Sequence, residues 1–214
     1  MTKILILGGG CMVGQKLANH LLASGLPGHK ALDITLFDMA FPLKQDGRLR
    51  CITGSLTDAQ NITMLAQLRP DIVFHLASIV SGEAESNFDA GWQVNMFTMW
   101  HYLEALKALH IESNRAYVPK IIFTSSIAVF GGPFPEQIDD TFLSAPQTSY
   151  GAQKASCELL LSDFSRKGFV DGISLRLPTI CVRPGKANLA ASSFFSGIIR
   201  EPLNGQKAIL PVDE

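Results

Sequence analysis

Three polar side chains in the second half of the chain have the types and spacing of a proton-transfer site. Tyr150 and Lys154 are four residues apart, and Ser126 ends an apolar run 24 residues before Tyr150. Residues four apart share one face of a helix, so the phenol and the ammonium would point into the same space. A close Lys⁺ favours a phenolate and would draw the tyrosine pKa down from about 10. We predict Tyr150 as the general base, Lys154 as its activator and Ser126 as the group that orients a substrate hydroxyl.

The N-terminal segment, residues 3–14, has the pattern of a dinucleotide-binding turn. A short apolar run leads into three glycines and then into an amphipathic stretch, which predicts strand, tight turn and helix. In that pattern Gly8 permits the turn, Gly10 lets the backbone approach a pyrophosphate, and Gly14 lets the helix pack closely on the strand. Met12 and Val13 open the helix, whose N-terminus attracts phosphate groups. A glycine-rich turn without a ligand is the alternative.

Asp38 supports the dinucleotide interpretation. It ends a second apolar segment and follows Gly14 by 24 residues. A carboxylate at this place accepts hydrogen bonds from both hydroxyls of an adenosine ribose and repels a 2′-phosphate. The sequence therefore predicts NAD rather than NADP.

Taken together, these motifs resemble the extended branch of the short-chain dehydrogenase/reductase superfamily, which also contains NAD-dependent sugar-nucleotide epimerases and dehydratases. The resemblance includes residues 74–78 (Phe-His-Leu-Ala-Ser), the pair Val94-Asn95 and the Tyr150-x-x-x-Lys154 motif. It implies that Lys154 also grips the nicotinamide ribose. It also implies further cofactor contacts from both halves of the chain: Ser55, Leu56, Ala77, Ser78, Asn95, Tyr150, Pro178 and Thr179.

Within this branch, several segments are similar to dehydrogenases that act on a four-carbon sugar acid. These segments are residues 80–85, 125–133, 166–172 and 176–202. The similarity implies NAD-dependent oxidation of the C2 hydroxyl of a small sugar acid, D-erythronate to 2-dehydro-D-erythronate, in four-carbon acid sugar catabolism. The substrate carboxylate needs a cationic partner, for which we predict Arg183. Together with Ser126 and Tyr150, Ser81 and Gly82 are predicted to line the substrate site.

The chain departs from the branch pattern at three positions. Cys11 replaces the middle glycine of the usual fingerprint, so its φ must be negative. Ser55 stands where many relatives have an aspartate that meets the adenine, which weakens that contact. Phe130 stands where sugar-nucleotide enzymes often have a tyrosine. None of these positions belongs to the predicted proton-transfer residues.

The amino-acid composition reduces the range of partners and sites that we expect. The 214 residues are 47% hydrophobic, as expected for an α/β protein whose strands are buried on both faces, and the net charge is −1. The chain has no basic run, so we expect neither nucleic acid nor a membrane surface as a partner. The four cysteines show no paired spacing and the five histidines are scattered, which predicts a cytoplasmic protein without a metal site. We expect His75 to be a packed core residue.

Apolar runs and amphipathic stretches alternate along the chain. Strands are predicted at 3–7, 32–37, 48–52, 71–75, 119–124 and 172–177, and helices at 12–24, 58–68, 88–110 and 149–167. This alternation predicts a doubly wound parallel sheet, a Rossmann fold with ligands at the carboxyl ends of its strands. We predict an NAD-binding domain over residues 1–177 and, over 178–214, the start of a substrate lobe that is incomplete in this chain. The segment 131–147 is long enough to form a wall of the site.

Two other functions remain open from the sequence. A sugar-nucleotide epimerase or dehydratase uses the same three catalytic residues, although Ile127 and Ala128 follow Ser126 where dehydratases tend to have an acid. A non-catalytic NAD-binding protein is the second alternative, and the presence of Ser126, Tyr150 and Lys154 argues against it. We expect the chain to act as a homodimer on a small-molecule sugar acid.

Overall fold

The structure, a computed structural model, describes residues 1–41, 45–139 and 141–211. The last three residues of the predicted 178–214 lobe lie outside the described residues.

A sheet of six parallel strands forms the centre of the molecule, in the order β3-β2-β1-β4-β5-β6. The strands are β1 Thr2–Leu7, β2 Leu32–Asp38, β3 Arg50–Thr53, β4 Ile72–His75, β5 Lys120–Ser126 and β6 Asp171–Leu177. The strand order reverses between β1 and β4, and such a reversal opens a crevice at the carboxyl ends of the strands. The predicted doubly wound fold is confirmed, and the strand bounds agree with the prediction to within two residues.

The central strands are buried on both faces, as the composition predicted. Residues 4–7 of β1 and residues 34–37 of β2 are buried without interruption. The edge strand β6 differs, because Ile173 is 53% exposed and Leu175 is 40% exposed. The expectation of two covered faces is therefore wrong for β6, because the described residues cover these two side chains only in part.

Helices pack on both faces of the sheet. They are α1 Met12–Ser24, α2 Ala59–Gln67, α3 Ser81–Ser86, α4 Phe88–Trp92, α5 Thr98–Glu112, α6 Ser149–Arg166 and α7 Phe194–Leu203. One apolar core contains the inner sides of α2, α5 and α6, and a smaller core lies under α1. Among the described residues, no helix is both long enough and apolar enough to cross a lipid bilayer.

The helix predicted as one continuous element over 88–110 is interrupted. It consists of α4, one π-helical turn over Gln93–Phe97, and α5. A π-turn carries one extra residue and shifts the backbone hydrogen bonds locally. Here the carbonyl oxygen of Asn95 accepts a hydrogen bond from the Cys157 thiol on α6 at 3.2 Å. The turn thus joins α5 to the helix that carries Tyr150 and Lys154.

Candidate active site

A cavity of about 590 Å³ lies at the carboxyl ends of β5 and β6, next to the start of α1. Ser126, Tyr150 and Lys154 all line it, so the fold brings together the three predicted catalytic residues. Its walls also include residues 11–13, at the start of α1, and residues 177–180, at the end of β6 and just beyond it. The position agrees with the rule that ligands of doubly wound sheets bind beyond the carboxyl ends of the strands.

Local structure fixes the predicted catalytic tyrosine, Tyr150, next to the turn that follows Ser126. Tyr150 lies in the first turn of α6, and the Thr148 side chain caps that helix by accepting a hydrogen bond from the Gly151 N–H at 3.1 Å. A Cβ on Gly151 would stand 2.2 Å from the carbonyl oxygen of Ala128. Only glycine therefore lets α6 approach the turn that follows Ser126. Sequence reasoning missed this glycine, because its role depends on a contact between distant segments.

Lys154 is enclosed by protein. Its side chain is 2% exposed, and Nζ donates a hydrogen bond to the Thr124 carbonyl oxygen at 2.9 Å. Nζ also lies 4.7 Å from the centre of the Phe123 ring and 5.6 Å from the centre of the Tyr150 ring. Burial disfavours the charged ammonium and lowers the Lys154 pKa to about 8. The lysine is thus held beside the tyrosine, in a position to share its proton with a ligand.

The pKa of Tyr150 differs from the prediction. Burial raises it above the usual value, and the opposing effects are hydrogen bonds with Ser78 and Ser126. The expectation that Lys154 draws the pKa of this tyrosine down is therefore wrong for the chain by itself. The physical reason is desolvation of the phenolate, which is the largest effect on this group. Ser78 was predicted as a cofactor residue, and it also lies close enough to Tyr150 to affect the pKa of its phenol.

The glycine turn after β1 has the predicted local geometry. Gly8 has φ +86°, and a Cβ there would meet the backbone nitrogen of Ala77 at 2.7 Å, so the loops after β1 and β4 touch. A Cβ on Gly14 would meet the Gly8 carbonyl oxygen at 2.3 Å, which confirms the close packing of α1 on β1. At Gly10 the space for a Cβ is filled by the carbonyl oxygen of Ala40, at 2.0 Å. That glycine is thus required by the chain itself, before any ligand is considered.

The Asp38 carboxylate is fixed by two backbone groups. The N–H of Gly10 donates to Oδ2 at 2.8 Å, and the N–H of Met39 donates to Oδ1 at 2.7 Å. Each carboxylate oxygen keeps further lone-pair capacity for a hydroxyl group. The Asp38 carbonyl accepts a hydrogen bond from Gly54 at 3.0 Å, which places Ser55 beside this group. A ribose diol would therefore meet a preoriented acceptor at the end of β2.

Cys11 is the N-cap residue of α1. Its φ is −74°, as predicted for a residue with a Cβ, and its Sγ accepts a hydrogen bond from the Gly14 N–H at 3.3 Å. Partial enclosure of the sulfur raises the pKa of the thiol, although hydrogen bonds from Gly14 and Val13 oppose the rise. A reactive thiol with a low pKa is therefore not supported at this helix N-terminus.

The other predicted cofactor residues occupy different environments. Met12, Val13, Ser78, Pro178 and Thr179 line the cavity. Ala77 supports the glycine turn, and Leu56 is buried.

Asn95 departs from its predicted role as a cofactor contact. Its side chain is 1% exposed, and the atoms of its amide are engaged by the protein. Oδ1 accepts from the Ser78 hydroxyl and from the Ile79 N–H, and Nδ2 donates to Gln153. The prediction of direct contact is wrong, because the amide is enclosed and already hydrogen-bonded. Its influence on any ligand must pass through Ser78 and Ile79.

The structure places some of the predicted substrate residues at the cavity and others away from it. Ser81 and Arg183 line the cavity, and the Ser81 hydroxyl accepts a hydrogen bond from the Ala191 N–H at 3.0 Å. Gly82 instead lies against the Leu189 carbonyl oxygen, which would be 2.0 Å from a Cβ at that position. Ser81 and Gly82 thus hold the segment around residue 190 in place, and Leu189 covers the open side of Gly82.

Positive charge dominates the cavity. Its described lining residues include Lys154, Arg183 and Arg200 but no carboxylate. Arg200 is occupied, since it donates to the Arg183 carbonyl oxygen at 2.8 Å and pairs with Glu201. Arg183 makes no ion pair with the described residues. The cavity therefore suits anionic ligands, and Arg183 is in a position to pair with one.

His75 is a core residue, as predicted. It is 1% exposed, its ring makes an edge contact with Phe123, and neither ring nitrogen has a hydrogen-bond partner among the described residues. Burial, together with the nearby charge of Lys154, lowers the His75 pKa to about 3. The neutral ring is not among the residues that line the cavity. Among the described residues, no three His, Cys, Asp or Glu side chains are grouped to hold a metal ion.

Comparison with known proteins assigns this chain to a protein family. The profile of the NAD dependent epimerase/dehydratase family matches residues 4–213. This chain belongs to that family. Its glycine turn, oriented Asp38 and cationic cavity agree with the NAD-dependent character of the family, which supports the NAD prediction.

Two curated members of the family are named D-erythronate dehydrogenase. The Haemophilus influenzae protein is 46% identical over 214 residues, covering 99% of this chain and 65% of the relative. The Cupriavidus necator protein is 47% identical over 216 residues, covering 98% of this chain and 65% of the relative. The chain thus spans about 65% of the length of these relatives.

One solved structure with a similar sequence identity to this chain is described as an epimerase rather than a dehydrogenase. The Agrobacterium tumefaciens protein, described as a nucleoside-diphosphate-sugar epimerase, is 48% identical with a TM-score of 0.89. That match covers 100% of this chain and 63% of the solved one. The Thermus thermophilus UDP-glucose 4-epimerase, solved with NAD, has a TM-score of 0.80 at 20% identity, which demonstrates the shared fold alone.

Proposed function

We propose that this chain carries the NAD site and the catalytic residues of an NAD-dependent dehydrogenase that oxidises D-erythronate at its C2 hydroxyl to 2-dehydro-D-erythronate. The observation that carries the proposal is its 46–47% identity, over nearly the whole chain, to two D-erythronate dehydrogenases. The reaction would serve the breakdown of four-carbon acid sugars in the cytoplasm. The four cysteines are unpaired, which supports a reducing compartment.

The residues fit NAD. Asp38 would accept the adenosine ribose hydroxyls, and the glycine turn and the start of α1 would receive the pyrophosphate. Ser55 and Leu56 would lie at the adenine, and Pro178 and Thr179 at the nicotinamide end. When bound, NAD supplies the hydride acceptor and a positively charged ring.

The side chains of the cavity would perform the proton transfer. Tyr150 would take the proton of the C2 hydroxyl, and Ser126 would hold the same oxygen by a hydrogen bond. Lys154 would grip the nicotinamide ribose and pass on the proton, because its ammonium already lies beside the phenol. Arg183 would pair with the substrate carboxylate through two parallel N–H bonds. A carboxylate left without such a partner in a closed site would bind poorly.

A sugar-nucleotide epimerase is the second candidate, because the Agrobacterium tumefaciens structure carries that description at 48% identity. The cavity lining weighs against a dehydratase, since Ile127 and Ala128 follow Ser126 and no carboxylate stands among the described lining residues. An epimerase restores its NAD in each cycle, whereas a dehydrogenase releases NADH.

Substrate profiling separates these candidates. The chain would be mixed with NAD and D-erythronate, its stereoisomers, or UDP- and dTDP-sugars, and NADH absorbance would be followed. We expect stoichiometric NADH with D-erythronate and no net NADH with sugar nucleotides. Epimerised sugar nucleotide without NADH would overturn the proposal, and NAD binding without any turnover would favour a non-catalytic protein.

We also propose a homodimer, in which α5 and α6 of two copies pack together. A shallow groove between these helices exposes apolar side chains, namely Phe97, Trp100 and Leu159. Its rim carries both signs of charge, from Lys107 and Asp163. Sedimentation of the chain and of Leu159→Glu tests this, since a dimer through this face should become a monomer in the variant. An unchanged mass would exclude this face.

A further inference from the structure

A close contact between α3 and the segment 188–193 joins two walls of the cavity. The Ala191 N–H donates a hydrogen bond to the hydroxyl oxygen of Ser81, the first residue of α3, at 3.0 Å. The next residue, Gly82, faces the Leu189 carbonyl oxygen, which would be 2.0 Å from a Cβ at that position. Two neighbouring residues of α3 thus hold the segment at two points.

Both partners in this contact line the cavity. Residues 78–81 line it on the side of α3, and Asn188 and residues 190–193 line it on the side of the segment. Ser126 and Tyr150 line the same cavity. The separation between α3 and the segment therefore limits the length of a ligand whose reacting hydroxyl lies at Tyr150.

Three contacts hold α3 against the body of the protein. Ala84 is 0% exposed, and a Cβ on Gly91 of α4 would stand 3.2 Å from the Ala84 carbonyl oxygen. Glu85 Oε2 accepts a hydrogen bond at 3.0 Å from the N–H of Ser149, which directly precedes Tyr150 in the first turn of α6. Since α3 is packed on α4 and tied to α6, a side chain added at its start would displace the segment 188–193 rather than the helix.

The size of that displacement follows from the contact itself. Cβ atoms essentially never approach another heavy atom within 3.0 Å, so a Cβ on Gly82 would make the Leu189 carbonyl oxygen retreat by about 1 Å. The hydrogen bond from Ala191 to Ser81 would lengthen with it, because the two contacts are adjacent. The gap between the two walls would then widen.

We propose that Gly82 determines the chain length of the acid that the cavity accepts. The missing side chain lets the segment 188–193 close on α3, which leaves space for a four-carbon acid and excludes longer aldonates. This inference rests on the proposed function for its substrate class, whereas the closure of the segment is a property of the protein alone.

Binding of two aldonates tests the inference without turnover. D-Ribonate keeps the C2 and C3 configuration of D-erythronate and adds one carbon. Rejection of one extra carbon by the shape of a pocket is typically worth about 10–200-fold. Calorimetry of the chain saturated with NADH should therefore give a dissociation constant at least about tenfold higher for D-ribonate than for D-erythronate. In Gly82→Ala this ratio should fall by about tenfold, because the widened gap admits the extra carbon.

A matched glycine variant controls for the substitution itself. Gly47→Ala places its Cβ in open space, with nothing within 4 Å, and should leave the ratio unchanged. A general loss of stability in Gly82→Ala would weaken the binding of both acids together and would not change their ratio. Should Gly82→Ala not fold, Ser81→Ala removes the acceptor of the Ala191 N–H without adding an atom, and it carries the same prediction.

Amide hydrogen exchange of the chain without ligand tests the closure of the segment by itself. Peptides that contain residues 188–193 should lose protection in Gly82→Ala and in Ser81→Ala, most of all at Ala191, whose N–H is held by Ser81. Gly47→Ala should show the native exchange. Unchanged exchange of the segment in both α3 variants would overturn the closure.

The outcomes separate this inference from the proposed function. An unchanged ratio of dissociation constants in Gly82→Ala, in a chain that reduces NAD with D-erythronate, would overturn the role of Gly82 and leave the reaction standing. A lowered ratio in a chain that binds both acids but never reduces NAD would support the role of Gly82 and reject only the proposed reaction. A chain that binds neither acid would reject both.

Discussion

Lys154 reaches across from α6 and donates a 2.9 Å hydrogen bond to the carbonyl oxygen of Thr124, two residues before Ser126. This bond joins α6, which carries the predicted general base, to β5, which carries the predicted orienting hydroxyl. Because Nζ is also enclosed, its pKa falls to about 8, and the lysine can exchange a proton near neutral pH. Contacts within the protein itself thus hold the predicted catalytic residues of α6 and β5 together.

Replacing the phenol tests the assignment of the base. Tyr150→Phe removes the proton acceptor, and general base catalysis contributes roughly 10²–10⁴-fold, so kcat should fall by at least that lower bound. The NAD dissociation constant should change little. Tyr117→Phe is the matched control, because that hydroxyl bonds to the Pro70 carbonyl away from the cavity. Full activity in Tyr150→Phe would exclude the tyrosine as the base.

The choice of cofactor depends on the charge of Asp38. Asp38→Asn keeps the shape but removes the repulsion of a 2′-phosphate and weakens the bonds to the ribose hydroxyls, each worth about 1.5–3 kcal/mol when charge-assisted. The ratio of kcat/KM for NAD to that for NADP should therefore fall at least about tenfold. Asp33→Asn, at the opposite end of β2, should leave the ratio unchanged. Equal efficiency with both cofactors in the unmodified chain would show that Asp38 does not contact the ribose.

Burial of His75 makes stability depend on pH. Its folded pKa is about 3, below the usual 6.5, so the unfolded chain binds more protons and stability falls as pH drops through that interval. The loss is at most about 1.4 kcal/mol per pH unit. Relative to His75→Leu, the free energy of unfolding in urea should thus be lower at pH 5 than at pH 7.5. A constant difference between the two proteins would show that the ring is protonated or hydrated when folded.

Cys11 reports the position of the pyrophosphate. Its sulfur caps α1 and lines the cavity, so bound NAD should slow its alkylation, while Cys51 and Cys181, both exposed, should react as before. The raised thiol pKa predicts slow labelling of Cys11 at neutral pH even without NAD. Mass spectrometry of the labelled peptides measures all rates together. Unchanged labelling of Cys11 would separate it from the cofactor.

The sequence predicted those features that arise from short stretches of chain. Apolar runs located all six strands, and the Tyr150-Lys154 spacing placed both side chains on one helix face. The same local patterns could not predict the π-turn, since the Asn95–Gln153 bond that accompanies it joins residues 58 positions apart. The helix α7 was also missed, because Gly197 and Pro202 interrupt its helical pattern.

In the candidate site, too, the sequence predicted the features that arise locally and missed those that depend on contacts between distant segments. Gly8 and Gly14 have the predicted geometry, because the positive φ of the turn and the close packing of α1 on β1 both arise within one strand-turn-helix unit. Gly151 could not be identified, since its close contact is with the Ala128 carbonyl on another element. The direction of the Tyr150 pKa shift was wrong for a related reason, because burial depends on the whole cavity rather than on one neighbouring charge.

The last prediction is that the Arg183 side chain binds the substrate carboxylate. Its backbone is fixed independently of its side chain, since the N–H bonds to the Ser196 hydroxyl at 3.0 Å and the carbonyl oxygen accepts from Arg200. Arg183→Ala should therefore remove the guanidinium without moving the loop. Loss of a charge-assisted pair costs more than about 1.4 kcal/mol, so KM for D-erythronate should rise tenfold or more.

The control for Arg183 is its neighbour Lys186, which is exposed and lies outside the cavity lining, so Lys186→Ala should leave KM unchanged. The NAD dissociation constant should be nearly the same in both variants. Arg183 is also close enough to Cys11 for its charge to act on the thiol. Weaker NAD binding with a normal KM in Arg183→Ala would therefore assign the guanidinium to the cofactor phosphates. A normal KM with normal NAD binding would move the carboxylate site elsewhere, and a raised KM in Lys186→Ala would place it at that lysine.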